Sequence, residues 1–290
     1  MPDYKTLKLR LQLMVSILAL SIVIIAAIGI SQARSEPESA QPMPIGNAPD
    51  DIHPTPEEIL LEKGMSLTVP DLIATLKNEN EKEEIRFWAV IALGRTGDLS
   101  ASLPLIETLR NKNSKLREAA ALALGKLQDP SAISHIKEAL QDPSEGVRSM
   151  AVQALGQIGR DEAIAALGEK VMDLNEPSVN IRANAAFRLG QMGLDSAVPW
   201  LIAGLKDKSL EVRASSAIAL AEFGNREAIP SLIEILKVPN ARESLVVKAM
   251  NGLKKFTGQD FGYPKKHFAP ATKEERDEAI RRWIEWWENH

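Results

Sequence analysis

A leucine that recurs at a nearly constant interval constrains this chain more than any other feature. Successive copies are separated by 31, 31, 34, 31 and 33 residues. The copies are Leu93, Leu124, Leu155, Leu189, Leu220 and Leu253. A fixed period in the low thirties predicts stacked supersecondary units, each of which buries its apolar side against its neighbours. We therefore expect a solenoid rather than one globular core.

Each repeat is predicted to contain two helices, and residues 130–159 show the pattern. The first helix begins at Ser131 and ends before Pro143, because the residue before a proline is pushed out of the α region. The second helix is expected from about 145 to 158, followed by Gly159 as a C-cap. Its buried stripe has helical spacing and consists of Val147, Ala151, Val152, Leu155 and Ile158. This periodicity predicts an all-α fold.

The repeated line V-R-x-x-A-A-x-A-L-G-x-I/L-G, followed by a turn and another helix, resembles a HEAT repeat. It is most similar to the bacterial HEAT-like subtype that was first named from phycobilisome lyases. The resemblance covers residues 66–258 and implies an α-solenoid of about six helix pairs. Members of this family include scaffolds, adaptors and a few bilin lyases, so the resemblance implies the fold and leaves the function open.

One slot of the second helix holds an arginine in five repeats. The arginines are Arg86, Arg117, Arg148, Arg182 and Arg213. Six residues before each stands a polar residue: Asn80, Asn111, Asp142, Glu176 and Asp207. In the HEAT-like family these groups form a ladder beside the loop between the helices, and the polar residue also resembles an N-cap. We interpret them as structural; the alternative is a stripe that binds an anion or nucleic acid. Val246 takes the slot in the sixth repeat.

Several kinds of chemical site are excluded or disfavoured by the composition. The chain has no cysteine, which rules out disulfides, a thiolate nucleophile and thiolate metal ligands. Its four histidines are scattered, and there is no P-loop, dinucleotide-binding fingerprint or nucleophile elbow. The net charge of −4 disfavours nucleic acid as a partner. We predict no catalytic residue, no metal and no cofactor; the alternative is an active site assembled across repeats.

The N-terminal region predicts export. Residues 11–30 contain no charge over 20 residues, which is long enough to cross a bilayer as a helix. Lys5, Lys8 and Arg10 come first, so the positive-inside rule places residues 1–10 in the cytoplasm and the repeats outside. We expect a single-pass inner-membrane protein with periplasmic repeats. The alternatives are a cleaved signal peptide, which would give a secreted or periplasmic protein, and a buried soluble helix. Residues 31–56 form a proline-rich linker.

An aromatic tail at residues 259–290 follows the repeat region, which we place at residues 57–258. Thr272 and Glu275 form a capping box for a last helix with an apolar stripe. A solenoid must cover its open apolar end, so we expect the tail to act as a cap. The cap residues are Phe261, Tyr263, Trp283, Trp286 and Trp287. The alternative is a partner-binding role, because tryptophan is enriched in interface hot spots.

Some slots of the second helix that are commonly charged in the family hold apolar residues here. We expect these residues to form a groove on the concave face that receives a peptide or helix of a protein partner. They are Phe87, Trp88, Ile91, Leu122, Met150, Phe187 and Ile218. The alternative is ordinary packing between repeats. The predicted function is a non-catalytic scaffold or adaptor outside the cytoplasmic membrane; by resemblance, the alternative is a lyase-like or chromophore-handling factor.

Overall fold

The structure is a computed structural model that describes residues 55–239, 241–262 and 272–290. The expected membrane or signal segment at 11–30, the N-terminus before it, the linker up to residue 54 and Tyr263 lie outside the described residues. The described part of the chain contains 14 α-helices and no strand. No helix within it is long and apolar enough to span a membrane.

Six helix pairs make up the repeats. The pairs are α2 (Val69–Lys77) with α3 (Glu83–Arg95), α4 (Ser102–Thr108) with α5 (Ser114–Leu127), α6 (Ile133–Ala139) with α7 (Glu145–Ile158), α8 (Asp161–Val171) with α9 (Val179–Met192), α10 (Val198–Gly204) with α11 (Leu210–Glu222), and α12 (Ile229–Lys237) with α13 (Glu243–Thr257). The helix α1 (Pro56–Glu62) packs on α3, and α14 (Lys273–Glu288) packs on α12. The predicted all-α solenoid is confirmed.

Local sequence sets where the helices begin and end. In the third repeat, the Asp129 carboxylate accepts a hydrogen bond from the Ser131 amide and caps a turn of 3-10 helix. The α-helix itself begins at Ile133, two residues later than predicted, because this turn precedes it. The second helix covers the predicted residues. Gly159 ends it at a φ of +67°, a left-handed conformation that glycine adopts without strain.

The repeated leucine lies at the centre of the core. All six copies are 0% exposed. Full burial stabilises a leucine side chain by about 1.5–3 kcal/mol relative to exposure. Because each second helix packs on the second helices before and after it, these leucines belong to one continuous core.

Neighbouring second helices come into close contact at a glycine that follows the repeated leucine. A Cβ placed on Gly94, Gly125 or Gly190 would lie 2.6, 2.7 or 2.5 Å from the facing alanine of the next repeat. The facing alanines are Ala123, Ala154 and Ala219. Between α11 and α13 the order is reversed, and a Cβ on Gly252 would lie 3.0 Å from Ala221 Cβ. Each of these contacts therefore combines one glycine with one alanine.

The helix α14 covers the end of the sixth repeat. It begins with the predicted capping box at Thr272. Trp283 is 1% exposed, and its ring meets the Phe261 ring edge to face with the centroids 4.7 Å apart. Trp286 and Trp287 are half-buried against the core. The described aromatic residues of the tail thus pack at the end of the solenoid, where Trp286 and Trp287 keep part of their surface free.

Candidate functional site

The row of second helices carries the predicted groove residues. We use the name second-helix face for the side chains at the slots six, five and two residues before the repeated leucine. All seven predicted groove residues lie in these slots and are half-buried. Five of them pack against the core, namely Phe87, Trp88, Ile91, Met150 and Ile218. These five residues thus contribute to core packing, and all seven keep part of their surface free.

One pocket brings two of the seven residues together. Phe187 and Ile218 line a cavity of about 270 Å³ with the exposed Lys248 at its rim. Phe87 and Trp88 contact each other edge to face, with ring centroids 5.1 Å apart. The other three lie apart on separate helices: Ile91 on α3, Leu122 on α5 and Met150 on α7. Phe187 and Ile218 therefore share a pocket, whereas Ile91, Leu122 and Met150 each stand on a different second helix.

Arg188 is a candidate site residue that the sequence-based selection missed. It occupies the contact between α7 and α9, where its Cδ lies 2.8 Å from the position of a Cβ on Gly156. The residue is only 9% exposed. The corresponding slot holds alanine on α3, α5, α7 and α11. When the repeats are aligned, the single arginine among these alanines is the feature of the sequence that could have identified it.

The charged group of Arg188 is incompletely satisfied. Its Nη1 donates to Gln191 Oε1 at 2.9 Å, whereas its buried Nε has no hydrogen-bond partner among the described residues. Burial lowers the pKa of this guanidinium. One helical turn earlier, Asn184 is 8% exposed and its Oδ1 also lacks a partner. Two orphaned polar groups therefore share one face of α9.

The repeated arginines connect neighbouring repeats. Arg117 binds Asp142 of the next repeat through two hydrogen bonds, Nε to Oδ2 at 2.7 Å and Nη2 to Oδ1 at 2.8 Å. The same two-point contact is made by Arg148 with Glu176 at 2.9 Å and by Arg182 with Asp207 at 3.0 and 3.2 Å. Each arginine also donates to the backbone carbonyl six residues before it. The carboxylate partner thus belongs to the following repeat, not to the arginine's own.

The ladder changes at both ends. The repeat after Arg86 offers Asn111 instead of an acid, and Arg86 Nε donates to the Leu76 carbonyl at 2.9 Å. At the other end, Arg213 Nε binds Glu234 Oε2 of α12 at 3.1 Å. The contact between an arginine and the acidic residue of the next repeat therefore occurs three times, in the middle of the solenoid.

The expectation that the polar residues are N-caps of the second helices is wrong. The N-cap residues lie two positions later and are Asn113, Ser144, Ser178 and Ser209. The Asp142 carboxylate accepts a hydrogen bond from the Ser144 amide at 2.8 Å, and Asp207 accepts one from Ser209 at 2.7 Å. These aspartates close a turn of the loop ahead of the helix with Oδ1, and the same oxygen also accepts from the arginine that binds Oδ2.

The ladder carboxylates are held in the ionised form. Burial by itself would raise the pKa of Asp142, but hydrogen bonds from its arginine and from a backbone amide outweigh burial and lower the pKa. The same balance lowers the pKa of Glu176 and of Asp207. The folded chain therefore binds protons on these groups less readily than the unfolded chain.

A larger cavity of about 870 Å³ lies beside the ladder between the third and fourth repeats. In its wall, Lys170 is 3% exposed and pairs with Asp173 at 2.9 Å and with Glu176 at 3.3 Å. Arg148 binds the same Glu176. These buried charges satisfy one another. Across the described ranges, no group of three or more His, Cys, Asp or Glu side chains is arranged to hold a metal ion.

Comparison with known proteins gives a family and several distant structural likenesses. No curated protein matches the chain. A designed armadillo repeat protein in complex with the peptide (KR)4 is 21% identical and covers 65% of this chain and 99% of its own, with a TM-score of 0.48. The complex of CpcE and CpcF of phycocyanin lyase from Nostoc is 20% identical and covers 86% of this chain and 99% of its own, with a TM-score of 0.40. Human deoxyhypusine hydroxylase is 23% identical and covers 72% of this chain and 82% of its own, with a TM-score of 0.35.

The family assignment comes from the repeats themselves. A sequence model of HEAT repeats matches residues 102–173 and residues 170–250. Together the two stretches span more than half of the chain and include four of the six recurring leucines. The chain belongs to the HEAT-repeat family.

Proposed function

We propose that this protein is a non-catalytic scaffold that binds a protein or peptide partner on its second-helix face. The observation that carries the proposal is the pocket beside Phe187 and Ile218. Its volume of about 270 Å³ lies below the roughly 300–1,000 Å³ of small-molecule sites. A pocket of this size suits one apolar side chain of a partner, which would anchor the surrounding contacts.

The charge beside the pocket specifies the partner further. Lys248 Nζ lies 5.8 Å from the centroid of the Phe187 ring. Lys248 is exposed, and no carboxylate of the described residues pairs with it. A peptide segment with an apolar side chain next to a negative charge complements this surface. The occupant we propose is therefore a segment of another protein and not a small molecule.

A lyase-like or chromophore-handling role is the second function considered. It has one supporting observation, because the cavity of about 870 Å³ falls within the size range of small-molecule sites. The wall of that cavity consists largely of charged groups that bind each other, whereas such sites are mostly apolar. The scaffold proposal also agrees with a sequence that offers no cysteine and no recognisable catalytic motif.

The proposed location is outside the cytoplasmic membrane. It rests on the apolar segment at 11–30 and the basic residues before it. Cell fractionation with protease added to spheroplasts tests this proposal. Degradation of the repeats in intact spheroplasts is expected, and protection until the membrane is dissolved would refute it. N-terminal sequencing of the mature protein distinguishes an anchor from a cleaved signal.

Photocrosslinking in cells tests the binding face. A benzoylphenylalanine in place of Ile218 is expected to give a discrete adduct, and the same probe in place of Leu103 is the matched control. Leu103 is 64% exposed but lies on the first helix α4. Phe187→Ala should remove the adduct at position 218. Equal adducts at both positions, or an adduct that ignores Phe187→Ala, would contradict the proposed face.

A further inference from the structure

The contact between α7 and α9 is built differently from its counterparts. At three equivalent contacts a glycine faces alanine, whereas here Gly156 faces Arg188. The Cβ, Cγ and Cδ atoms of Arg188 all lie 2.8–3.0 Å from the position of a Cβ on Gly156, so the aliphatic stem runs along that glycine. Because alanine closes the other contacts, packing alone does not require a charged side chain at this position.

The Arg188 guanidinium is also unlike the buried arginine of the ladder. Arg182 is 1% exposed and has a carboxylate at two points, with N–O distances of 3.0 and 3.2 Å to Asp207. Arg188 is 9% exposed, its Nε is orphaned, and no carboxylate of the described residues lies within ion-pair distance. A buried cation without a counter-charge is unfavourable unless something else supplies one.

Arg188 adjoins the proposed partner pocket. Its Nη1 binds Gln191, an exposed residue that lines the pocket. The Arg188 Cζ and the Lys248 Nζ each lie 5.8 Å from the centroid of the Phe187 ring. Two cations without a described carboxylate partner therefore lie near the ring of Phe187, which lines the pocket.

The acidic residue of the pocket does not neutralise these cations. Glu222 is the single carboxylate among the lining residues that the structure describes, and its Oε2 accepts a hydrogen bond from Lys255 Nζ at 3.1 Å. Lys255 also donates to the Glu222 backbone carbonyl at 2.9 Å. The local surface thus keeps a positive charge although the chain as a whole carries a net charge of −4.

We propose that Arg188 receives the carboxylate of an aspartate or glutamate side chain of the partner, next to the apolar side chain that enters the Phe187 pocket. The inference rests on the proposed function and names the charge of its partner segment. A guanidinium donates from two of its N–H groups in parallel to one carboxylate. Asn184 lies one turn away, and its amide, turned about its last bond, presents N–H groups to the same ligand.

Selection of displayed random-sequence peptides on the full-length protein tests the inference. Peptides that depend on Phe187 are expected to contain an acidic residue at a fixed distance from an apolar one. Two synthetic, C-terminally amidated peptides of the best sequence are then compared, one with the acidic residue and one with its amide counterpart. We expect the amide to bind the wild-type protein about tenfold or more weakly.

Variants of Arg188 test whether this residue causes the preference for the acidic peptide over its amide counterpart. Arg188→Met keeps an unbranched stem against Gly156, and Arg188→Ala restores the alanine of the other contacts. Both should bind the two peptides equally, whereas the exposed Arg226→Ala control should keep the wild-type preference. Thermal unfolding of each variant shows whether it is folded. If Arg188→Met does not fold, Arg188→Ala still allows the test.

The outcomes separate the inference from the proposed function. Phe187-dependent peptides without an acidic preference, or a preference that both Arg188 variants retain, would overturn the carboxylate assignment and leave the binding face in place. Failure to select any peptide, or selection that ignores Phe187→Ala, would overturn the inference together with the proposed function. A preference that only the Arg188 variants lose supports both.

Discussion

At four of the five contacts between the described second helices, one glycine meets one alanine, and we expect this pair to set the distance between the helices. Exchanging the two residues tests this expectation. In Gly190→Ala, the new Cβ would lie 2.5 Å from Ala219 Cβ and 3.2 Å from its Cα. Carbon atoms pack best at about 3.5–4.0 Å. We expect about 2 kcal/mol of overpacking, offset by about 1 kcal/mol because alanine favours a helix more than glycine does.

The reciprocal change has a separate cost. Ala219→Gly loses about 1 kcal/mol of helix propensity and about 0.8 kcal/mol of methyl burial. The two single variants together should therefore lose about 3 kcal/mol. In the double variant the propensities cancel and the closest contact is with the Ala219 Cα position, at 3.2 Å. We expect a loss below about 1 kcal/mol and hence a coupling free energy of about 2 kcal/mol.

The chain contains both a precedent and a control for this exchange. The contact of Ala221 with Gly252 already has the reversed order. At Gly94 the exchange should fail, because a Cβ there would lie 2.6 Å from the Cα of Ala123 as well as from its Cβ. Removing the methyl of Ala123 leaves that backbone contact in place.

Thermal unfolding followed by circular dichroism at a helix band measures the two cycles. A coupling of about 2 kcal/mol corresponds to about 4–8 °C in the melting temperature of a domain of this size. Additive effects at the 190 and 219 positions would refute the argument. So would equal recovery at the 94 and 123 positions, because the Cα distance would then have no influence on stability.

Three further perturbations follow from the ladder and the cap. Asp207→Ala leaves the guanidinium of Arg182 buried without a counter-charge, and we expect a loss of about 3–5 kcal/mol in urea unfolding; a loss below about 1 kcal/mol would show that the pair is screened by solvent. The lowered pKa values of Asp142, Glu176 and Asp207 stabilise the fold fully above the unfolded carboxyl pKa of about 4, and this stability is lost as the pH falls through the folded values. Melting temperatures should therefore fall on acidification below about pH 5 and less so in a variant that already lacks the Asp207 carboxylate. Trp283→Ala removes the buried ring of the cap, and we expect a loss of about 3–5 kcal/mol with increased proteolysis of the tail; unchanged stability would mean that α14 does not cover the core.

Much of the fold was accessible from the pattern of residues. Pro143 and Gly159 mark the ends of helices through their own backbone preferences, so the second helix of that repeat was predicted at its observed bounds. The start of the first helix was placed two residues early, because Asp129 and Ser131 form a cap that shifts the chain into a 3-10 turn. Errors of this kind arise because the periodicity of apolar residues does not show which side chains form hydrogen bonds at the start of a helix.

The candidate site was less accessible. Phe187 and Ile218 were selected by their slots, but the pocket also depends on Gln191 one turn further along α9 and on Lys248 of α13. In the aligned repeats, Arg188 stands at a position that holds alanine in four others. It became a candidate site residue because its Nε has no hydrogen-bond partner among the described residues. A missing partner is a property of the surroundings, so a single sequence does not report it.

The period of the leucines, the two helices of each repeat and the identity of the arginine slot were determined by the sequence alone. These features depend on contacts within a few residues along the chain, where helix geometry brings side chains together. Only the tertiary structure decided that Arg117 binds the Asp142 of the next repeat and that a Cβ on Gly190 would lie 2.5 Å from the Cβ of Ala219. It also decided that the Nε of Arg188 has no hydrogen-bond partner among the described residues, because residues about 30 positions apart meet only when the repeats stack.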